Sequence, residues 1–562
     1  MLSDTTKNFI RSALTVLCIG MIGGFAYGCF TGIREIADQR YIQYTLFKIA
    51  FSRLLIDVNI SFIISILCAM IIWITLCAGK FVYISVLNRK LNQKKPIHQI
   101  YGRLIRSAGF IIFLVMLISN IFSAVYFHRD RSEEINVVVL LVDSLRADHM
   151  SLYGYHRDTT PNITAFAKQA TVYKNAISQA PWTIPSVSSL FSCLYPAVHG
   201  IYDAYFKDGK RISKVLDKKL ATVAEILNNK GYATGAFVAN RLITEKKFYD
   251  QGFDYFSSIN DKTKPLAEEV NVQALAWLET NKHKPFFMYV HYQDVHSPYS
   301  SPEPFDSMYH TQAKRILNAK EKRRCRFFYK KGHNDLNYYI DRYDGAINYI
   351  DCHINQFIDR LNKLGLMDNT MVIITADHGE SFLEHGFASH GFTVYNPEIR
   401  VPLIVKFPKQ IPYTKFTNDI IQLIDVTATI IEVTGCAFPY KINGISLLAD
   451  YSGERTCFSQ ELSSHVYGPP KISMITGNYK AIYAPLKKRI IKLYNYINDP
   501  EEKNNLISRK KHMVKELQQV IISRTETMRA EGKRMGLSQK PIKFKMTERQ
   551  KQSLKALGYI AH

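Results

Sequence analysis

With 562 residues the chain has room for one large α/β domain plus accessory segments. Lys and Arg total 72 against 48 Asp and Glu, a formal net charge of +24, which suits an anionic partner. No paired Cys/His finger spacing, no basic region running into heptads and no aromatic RNA-binding signature occurs, so nucleic acid is set aside in favour of a phospholipid surface or an anionic ester. The nine cysteines include no Cys-x-x-Cys, which argues against a disulfide framework or a structural zinc site.

The first predicted elements are apolar. Phe9 to Thr31, Ile60 to Cys77 and Ala108 to Phe127 each approach the ~20 residues that a spanning helix needs. The loop from Lys80 to Arg106 carries seven Lys or Arg and no acid, which predicts a cytoplasmic loop. The expectation is therefore a multi-pass inner-membrane protein, with residues 1–132 holding about three helices and everything after His128 on the outer side.

After Glu134 short apolar runs alternate with helical stretches, the pattern of βαβ units and an α/β fold with a largely parallel sheet. Val137 to Val142, Thr234 to Ala239, Phe286 to His291, Met371 to Thr375 and Leu403 to Lys406 read as strands buried on both faces. Lys218 to Asn229 and Asp341 to Leu364 read as helices between them. Residues 133–448 are expected to form the catalytic domain. Residues 449–562 are expected to form a small antiparallel subdomain with a helix.

Candidate chemistry lies at strand ends. Asp143 follows Val137 to Val142, and a carboxylate there is either a metal ligand or a helix cap. Thr183 precedes Pro185 at a predicted helix start, where an ordinary N-cap and an anion site or nucleophile are both open readings. Asp377 and His378 end another apolar run and can offer one oxygen and one nitrogen to the same metal. Of His291, His296, His385 and His390, the better candidates are His296 and His390, near Pro or Gly in predicted loops. A separate run from Lys314 to Lys331 holds nine cations; it reads as a solvated insertion or as a patch for anionic lipid headgroups.

Taken in order, Asp-Ser-Leu-Arg-Ala-Asp, Thr-Thr-Pro-Asn-Ile, the Thr183 segment closing at Tyr-Pro-Ala-Val-His-Gly, Asp-Val-His-Ser-Pro-Tyr, Ala-Asp-His-Gly-Glu and Ile-Arg-Val-Pro-Leu-Ile-Val resemble the sulfatase family of the alkaline-phosphatase superfamily. So do the Asn-Asp-Pro-Glu-Glu-Lys-Asn-Asn-Leu stretch beginning at Asn498 and the terminal Leu-Gly-Tyr. The resemblance implies an alkaline-phosphatase-like fold and one divalent metal held by Asp143, Asp377 and His378, with Thr183 as nucleophile and further ligand. His296 and His390 would bind substrate oxygens or protonate the leaving group.

Two departures follow. Thr183-Ile-Pro-Ser-Val187 stands where sulfatases carry Cys or Ser and a supporting Arg, and oxidising a threonine carbinol gives a ketone rather than the family's aldehyde. Ser144 stands where many sulfatases have a second metal-binding Asp, which favours zinc or manganese over calcium or magnesium. A threonine nucleophile resembles that of membrane-bound phosphoethanolamine and glycerol-phosphate transferases. The leading expectation is accordingly phosphoryl transfer on a phosphodiester, a phospholipid headgroup or an envelope glycan. A sulfate-ester hydrolase is the alternative, and an inactive, lipid-binding regulatory protein the second.

Overall fold

The computed structural model describes residues 134–544, apart from 203, 208–209, 260–263, 413–415, 450–454, 464–467 and 538–541. Its centre is an eight-stranded sheet built from β1 (Asn136–Val142), β2 (Thr171–Ile177), β3 (Ala233–Val238), β4 (Tyr255–Ser258), β5 (Phe286–Tyr292), β6 (Thr370–Thr375), β7 (Arg400–Lys406) and β8 (Phe416–Gln422). Their order across the sheet is β8-β2-β7-β6-β1-β5-β3-β4. Every residue of β1 is buried, as a central strand covered on both faces requires. Each buried Val or Leu there stabilises the fold by roughly 1.5 to 3 kcal/mol.

The pairings of β1 with β5 and β6, β3 with β4 and β5, and β2 with β8 are parallel. Strand β7, expected to resemble the others, runs antiparallel to both β2 and β6. Its physical reason is its connection: the chain returns from β6 through the hairpin Ser381–Phe382 and Ala388–Ser389, with no long crossover helix to reset its direction. Strands β2, β4 and β8 escaped the sequence reading. β8 is mostly exposed or half-exposed and lacks a continuous apolar run.

Helix starts follow side-chain caps. The helix predicted from Lys218 begins at Val223, because Thr222 and Glu225 form a capping box. The one predicted from Asp341 begins earlier, at Leu336, where the Asp335 carboxylate accepts the Asn337 N–H at 3.0 Å.

Beyond the large sheet, β9 (Thr456–Glu461), β10 (Lys471–Thr476), β11 (Tyr479–Ala484) and β12 (Arg489–Asn495) form an antiparallel sheet, followed by the helix Lys511–Arg534. This sheet shares one apolar cluster with the segment around Thr183: Trp182, Ile184 and Val198 join Phe458, Met474 and Leu493. The C-terminal helix comes so close that a Cβ on Gly532 would stand 2.2 Å from the Val198 carbonyl oxygen. Cys193, Cys325, Cys352, Cys436 and Cys457 are all free thiols.

The expected placement as a multi-pass inner-membrane protein is corrected. Among the described residues no helix is long and apolar enough to cross a membrane. The stretches that suggested it, Phe9 to Thr31, Ile60 to Cys77 and Ala108 to Phe127, lie outside the described residues.

Candidate metal centre and active site

Four neighbouring strands, β6-β1-β5-β3, deliver polar side chains at their carboxyl ends, where open α/β sheets bind ligands. Asp143 follows β1, His291 closes β5, Asn240 lies just beyond β3, and Asp377 with His378 follows β6. All five are buried. Parallel, in-register pairing sets these ends side by side, and the apolar runs behind them fix their depth.

Oxygen and nitrogen atoms of Asp143, His291 and Asp377 lie within 4.8 Å of one another. His378 Nε2 is 3.5 Å from Asp143 Oδ1 and 3.5 Å from Asp377 Oδ2, while His291 Nε2 is 3.5 Å from Asp143 Oδ2. Asp377 Oδ2 and His291 Nε2 are buried without a hydrogen bond, as befits atoms reserved for a cation. Burial and the nearby Asp143 charge push the Asp377 carboxyl well above the usual range. Burial also opposes ionisation of Asp143, but its attraction to His296, His291 and His378 outweighs that and holds the carboxyl below its ordinary value. Two buried carboxylates so placed cannot both ionise cheaply without an added positive charge. The donor set thus fits a divalent cation, with oxygen and imidazole ligands of the kind zinc and manganese accept.

The turns are shaped for this. Ser144 takes φ 64°, a left-handed conformation, and from it donates its N–H to Asp377 Oδ1 at 3.3 Å and its hydroxyl to Asp143 Oδ1 at 3.0 Å. So Ser144, which replaces an expected second Asp, ties the two carboxylates together. At Gly379 a Cβ would fall 2.1 Å from the Pro397 carbonyl oxygen, and only glycine lets that backbone pack behind His378.

Thr183 begins a fully buried helix, Thr183–Ser192, with Pro185 in its first turn. Ser186, one turn on, donates to the Asp377 carbonyl oxygen at 2.7 Å and fastens the helix to the metal-side turn. The Thr183 hydroxyl then stands 3.3 Å from His378 Nε2 and 3.4 Å from Asn240 Nδ2. Asn240 Nδ2 also donates to Asp143 Oδ2 at 2.5 Å, bridging the hydroxyl and the carboxylate. The positive end of the helix dipole points at the same spot and favours an anion there.

Three histidines cluster beside the hydroxyl, with His378 next to it. The ring centroids of His378 and His390 are 4.3 Å apart, and those of His296 and His390 4.9 Å. His378 Nδ1 donates to the Gly379 carbonyl oxygen at 2.9 Å and His296 Nδ1 to that of Ser297 at 2.7 Å, so Nε2 holds the lone pair in each neutral ring. His390 Nδ1 pairs with Glu380 Oε1 at 3.2 Å. Burial lowers the pKa of His296 and His390 to about 4 and that of His378 to about 3, and raises Glu380 to about 7. Lys264 fixes the loop bearing His296 by donating to the carbonyl oxygens of Asp294, His296 and Pro298 at 2.7 to 2.9 Å.

Asp143, Thr183, His296, Asp377, His378 and His390 are therefore brought together. His385 is not: its ring stacks on Tyr395 at 3.9 Å, and its Nε2 lies 3.7 Å from Glu502. Thr-Thr-Pro-Asn-Ile is architectural, since Asp351 accepts the N–H groups of Asn162 and Ile163 while Thr159 bonds the His149 carbonyl oxygen. His291, ranked below His296 from sequence, and Asn240 and Glu380, passed over, belong to the centre. The signal for Asn240 was its position just beyond an apolar strand, as for Asp143.

The sulfatase family profile matches residues 135–436, and that of the N-sulphoglucosamine sulphohydrolase C-terminal region matches residues 383–531. An arylsulfatase of Clostridium perfringens is 21% identical over 470 residues, covering 68% of this chain and 94% of its own length. An ulvan-active sulfatase of Formosa agariphila is 24% identical over 426 residues, covering 68% of this chain and 78% of its own. The solved phosphonate monoester hydrolase SpPMH from Silicibacter pomeroyi has the same fold, with TM-score 0.57 at 18% identity over 70% of this chain and 96% of its own. The chain therefore belongs to the sulfatase family, a family of hydrolytic enzymes that use a divalent metal.

Proposed function

We propose that the chain hydrolyses sulfate esters of an anionic glycan, with Thr183 as the attacking hydroxyl. The observation that carries this reading is the meeting of that hydroxyl, at a helix start, with two buried carboxylates and the three histidines His296, His378 and His390. The ulvan-active and arylsulfatase names of relatives support sulfate esters over phosphate esters. Asp143, Asp377 and His291 would hold the divalent metal, which leaves the Nε2 lone pair of His378 to the Thr183 hydroxyl. When bound, it supplies positive charge to a sulfuryl oxygen and acidifies the Thr183 hydroxyl.

The Thr183 oxygen bonds to sulfur as the sulfur–ester oxygen bond breaks, and its proton passes to His378 Nε2. The electron pair goes to the leaving alcohol, which takes a proton from the His390–Glu380 pair or from His296. Both imidazoles are neutral at neutral pH, and an arriving sulfate favours their protonated form. Water then attacks the sulfur of the threonine sulfate, giving one proton back to the group that protonated the alcohol, while the sulfur–Thr183 oxygen bond breaks and His378 returns its proton to that oxygen, which releases sulfate and restores the hydroxyl. Asn240 orients the hydroxyl and shields Asp143 throughout.

A second reading, phosphoryl transfer through the same residues, is favoured by Thr183 itself, which cannot yield the aldehyde of formylglycine sulfatases. Purified protein loaded with zinc, manganese, calcium or magnesium should be assayed on an aryl sulfate, an aryl phosphate and an aryl phosphodiester. Turnover of the sulfate ester, with transient sulfation of Thr183 seen by mass spectrometry, is expected. Turnover confined to the phosphoesters would replace this reading with the second.

A further inference from the structure

The basic run from Lys314 to Lys331 is not a loose tail. Asn318 caps the helix Ala319–Arg324, accepting the N–H groups of Lys320 and Glu321 at 3.0 Å, while the Glu321 carboxylate accepts the Asn318 N–H at 3.0 Å. Leu317, Cys325 and Phe328 are buried. The Phe328 ring packs against Tyr299 at 5.7 Å and Phe382 at 6.0 Å, both close to the turn that carries Glu380. The segment is thereby fixed onto the hairpin that presents His390.

One cation lies on that hairpin and a second beside it. Arg324 Nη1 is 2.8 Å from where a Cβ on Gly386 would stand, so its guanidinium covers the bare glycine. The Arg326 guanidinium carbon is 4.3 Å from the centroid of the Phe327 ring, which packs 5.6 Å from that of Phe392, two residues beyond His390. Arg323, Arg324 and Arg326 are exposed. Among the described residues no carboxylate lies within ion-pair distance of them, and the only acid of the run, Glu321, is already paired with Arg315 at 3.1 Å. Three exposed guanidinium groups within four residues make a local excess of positive charge that an anion would offset, and their planar forks match the oxygens of a sulfate group.

We propose that Arg323, Arg324 and Arg326 form a cationic subsite on the rim beside His390 that holds a second sulfate of a polysulfated glycan while its neighbour is cleaved at Thr183. This rests on the sulfate-ester reading above and adds that the substrate is a polyanion. A membrane surface is the competing ligand for such charge, but a patch fixed on the catalytic hairpin acts on what enters the site.

The test compares the full chain with Arg324→Ala/Arg326→Ala and Arg324→Glu/Arg326→Glu. For each, kcat and KM are measured on an aryl sulfate and on a polysulfated polysaccharide, and binding to dextran sulfate and to phosphatidylglycerol vesicles is measured at several salt concentrations. We expect KM on the polymer to rise about tenfold or more in the Glu variant and less in the Ala variant. Activity on the aryl sulfate should stay unchanged, and dextran sulfate binding should weaken in parallel and fall steeply with salt in the parent. Equal losses on both substrates, unchanged polymer KM, or a loss seen only with vesicles would each overturn the subsite. If the parent cleaves neither ester, the sulfate-ester reading fails, and dextran sulfate binding still decides the subsite.

Discussion

The hydroxyl of Thr183 stands 3.3 Å from Nε2 of His378, and the ring's other nitrogen is committed to the Gly379 carbonyl oxygen. The lone pair nearest the hydroxyl thus comes from a nitrogen that burial keeps neutral. If Thr183 is the nucleophile, Thr183→Ala should fold normally yet lose roughly 10^3-fold or more in kcat, the scale seen when a nucleophile is removed. Thr183→Ser keeps the hydroxyl and should retain measurable turnover. Single-turnover kinetics with intact-mass spectrometry is the measurement, and an Ala variant as active as the parent would remove Thr183 from the chemistry.

Asp143 and Asp377 set up a trade between metal binding and stability. Without a cation, burial and the Asp143 charge make an ionised Asp377 costly, so Asp377→Asn should raise the thermal midpoint of the metal-free protein while abolishing metal uptake. In the parent, metal at 100 times its Kd should stabilise the fold by about 2.7 kcal/mol. Scanning calorimetry with and without metal, beside elemental analysis, reads both effects. A variant less stable than the metal-free parent, or one still loaded with metal, would refute the pairing.

Asn240 donates to Asp143 at 2.5 Å and lies 3.4 Å from the Thr183 hydroxyl. It orients groups without being among the proposed metal ligands. Asn240→Ala should therefore lower kcat about 10- to 100-fold, as second-layer partners of metal sites do, with metal content little changed. Asn240→Asp should be worse, since it adds a third carboxylate beside Asp143 and Asp377. Equal activity in parent and Ala variant would show that the contact is incidental.

What the sequence discloses about this centre depends on how each residue reaches it. Asp143, Asp377 and His378 follow continuous apolar strands, so strand recognition alone locates them at one end of the sheet. Asn240 obeys the same rule but carries no charge to draw notice. His291 ends a strand too, yet it lies inside the β5 run, where an alternating position reads as core. β8 and β4 are invisible for a different reason: at the sheet edges only part of each strand is covered, so neither a pure apolar run nor clean alternation results. The reversal of β7 is set by the hairpin that precedes it, whose left-handed residues Leu383, His385 and Ser389 give no strong sequence signal.

His199, in Tyr-Pro-Ala-Val-His-Gly, holds the far end of the Thr183 helix. Its Nδ1 accepts the Ile201 N–H at 3.0 Å, so Nε2 carries the proton and meets Ser189 Oγ at 3.0 Å. A second proton would have to sit on Nδ1, against an N–H that already points there. Burial, with the Lys214 charge adding to it, lowers the pKa of this ring to about 3, against about 6.5 for an unfolded histidine. Between those values the unfolded chain binds one more proton at this site than the folded protein does. The contribution of His199 is thus fully present above pH about 6.5 and is lost as pH falls, at up to about 1.4 kcal/mol per unit. His199→Gln keeps a neutral donor and acceptor but cannot titrate. It should be less stable than the parent at neutral pH through imperfect packing, and the gap should narrow steadily toward pH 5. Urea unfolding of both proteins at several pH values isolates this site, because every other titrating group cancels in the difference. A gap that stays constant with pH would mean that His199 takes up its proton as readily in the folded protein as in the unfolded chain, and its place between Ser189 and Ile201 would need a different donor assignment.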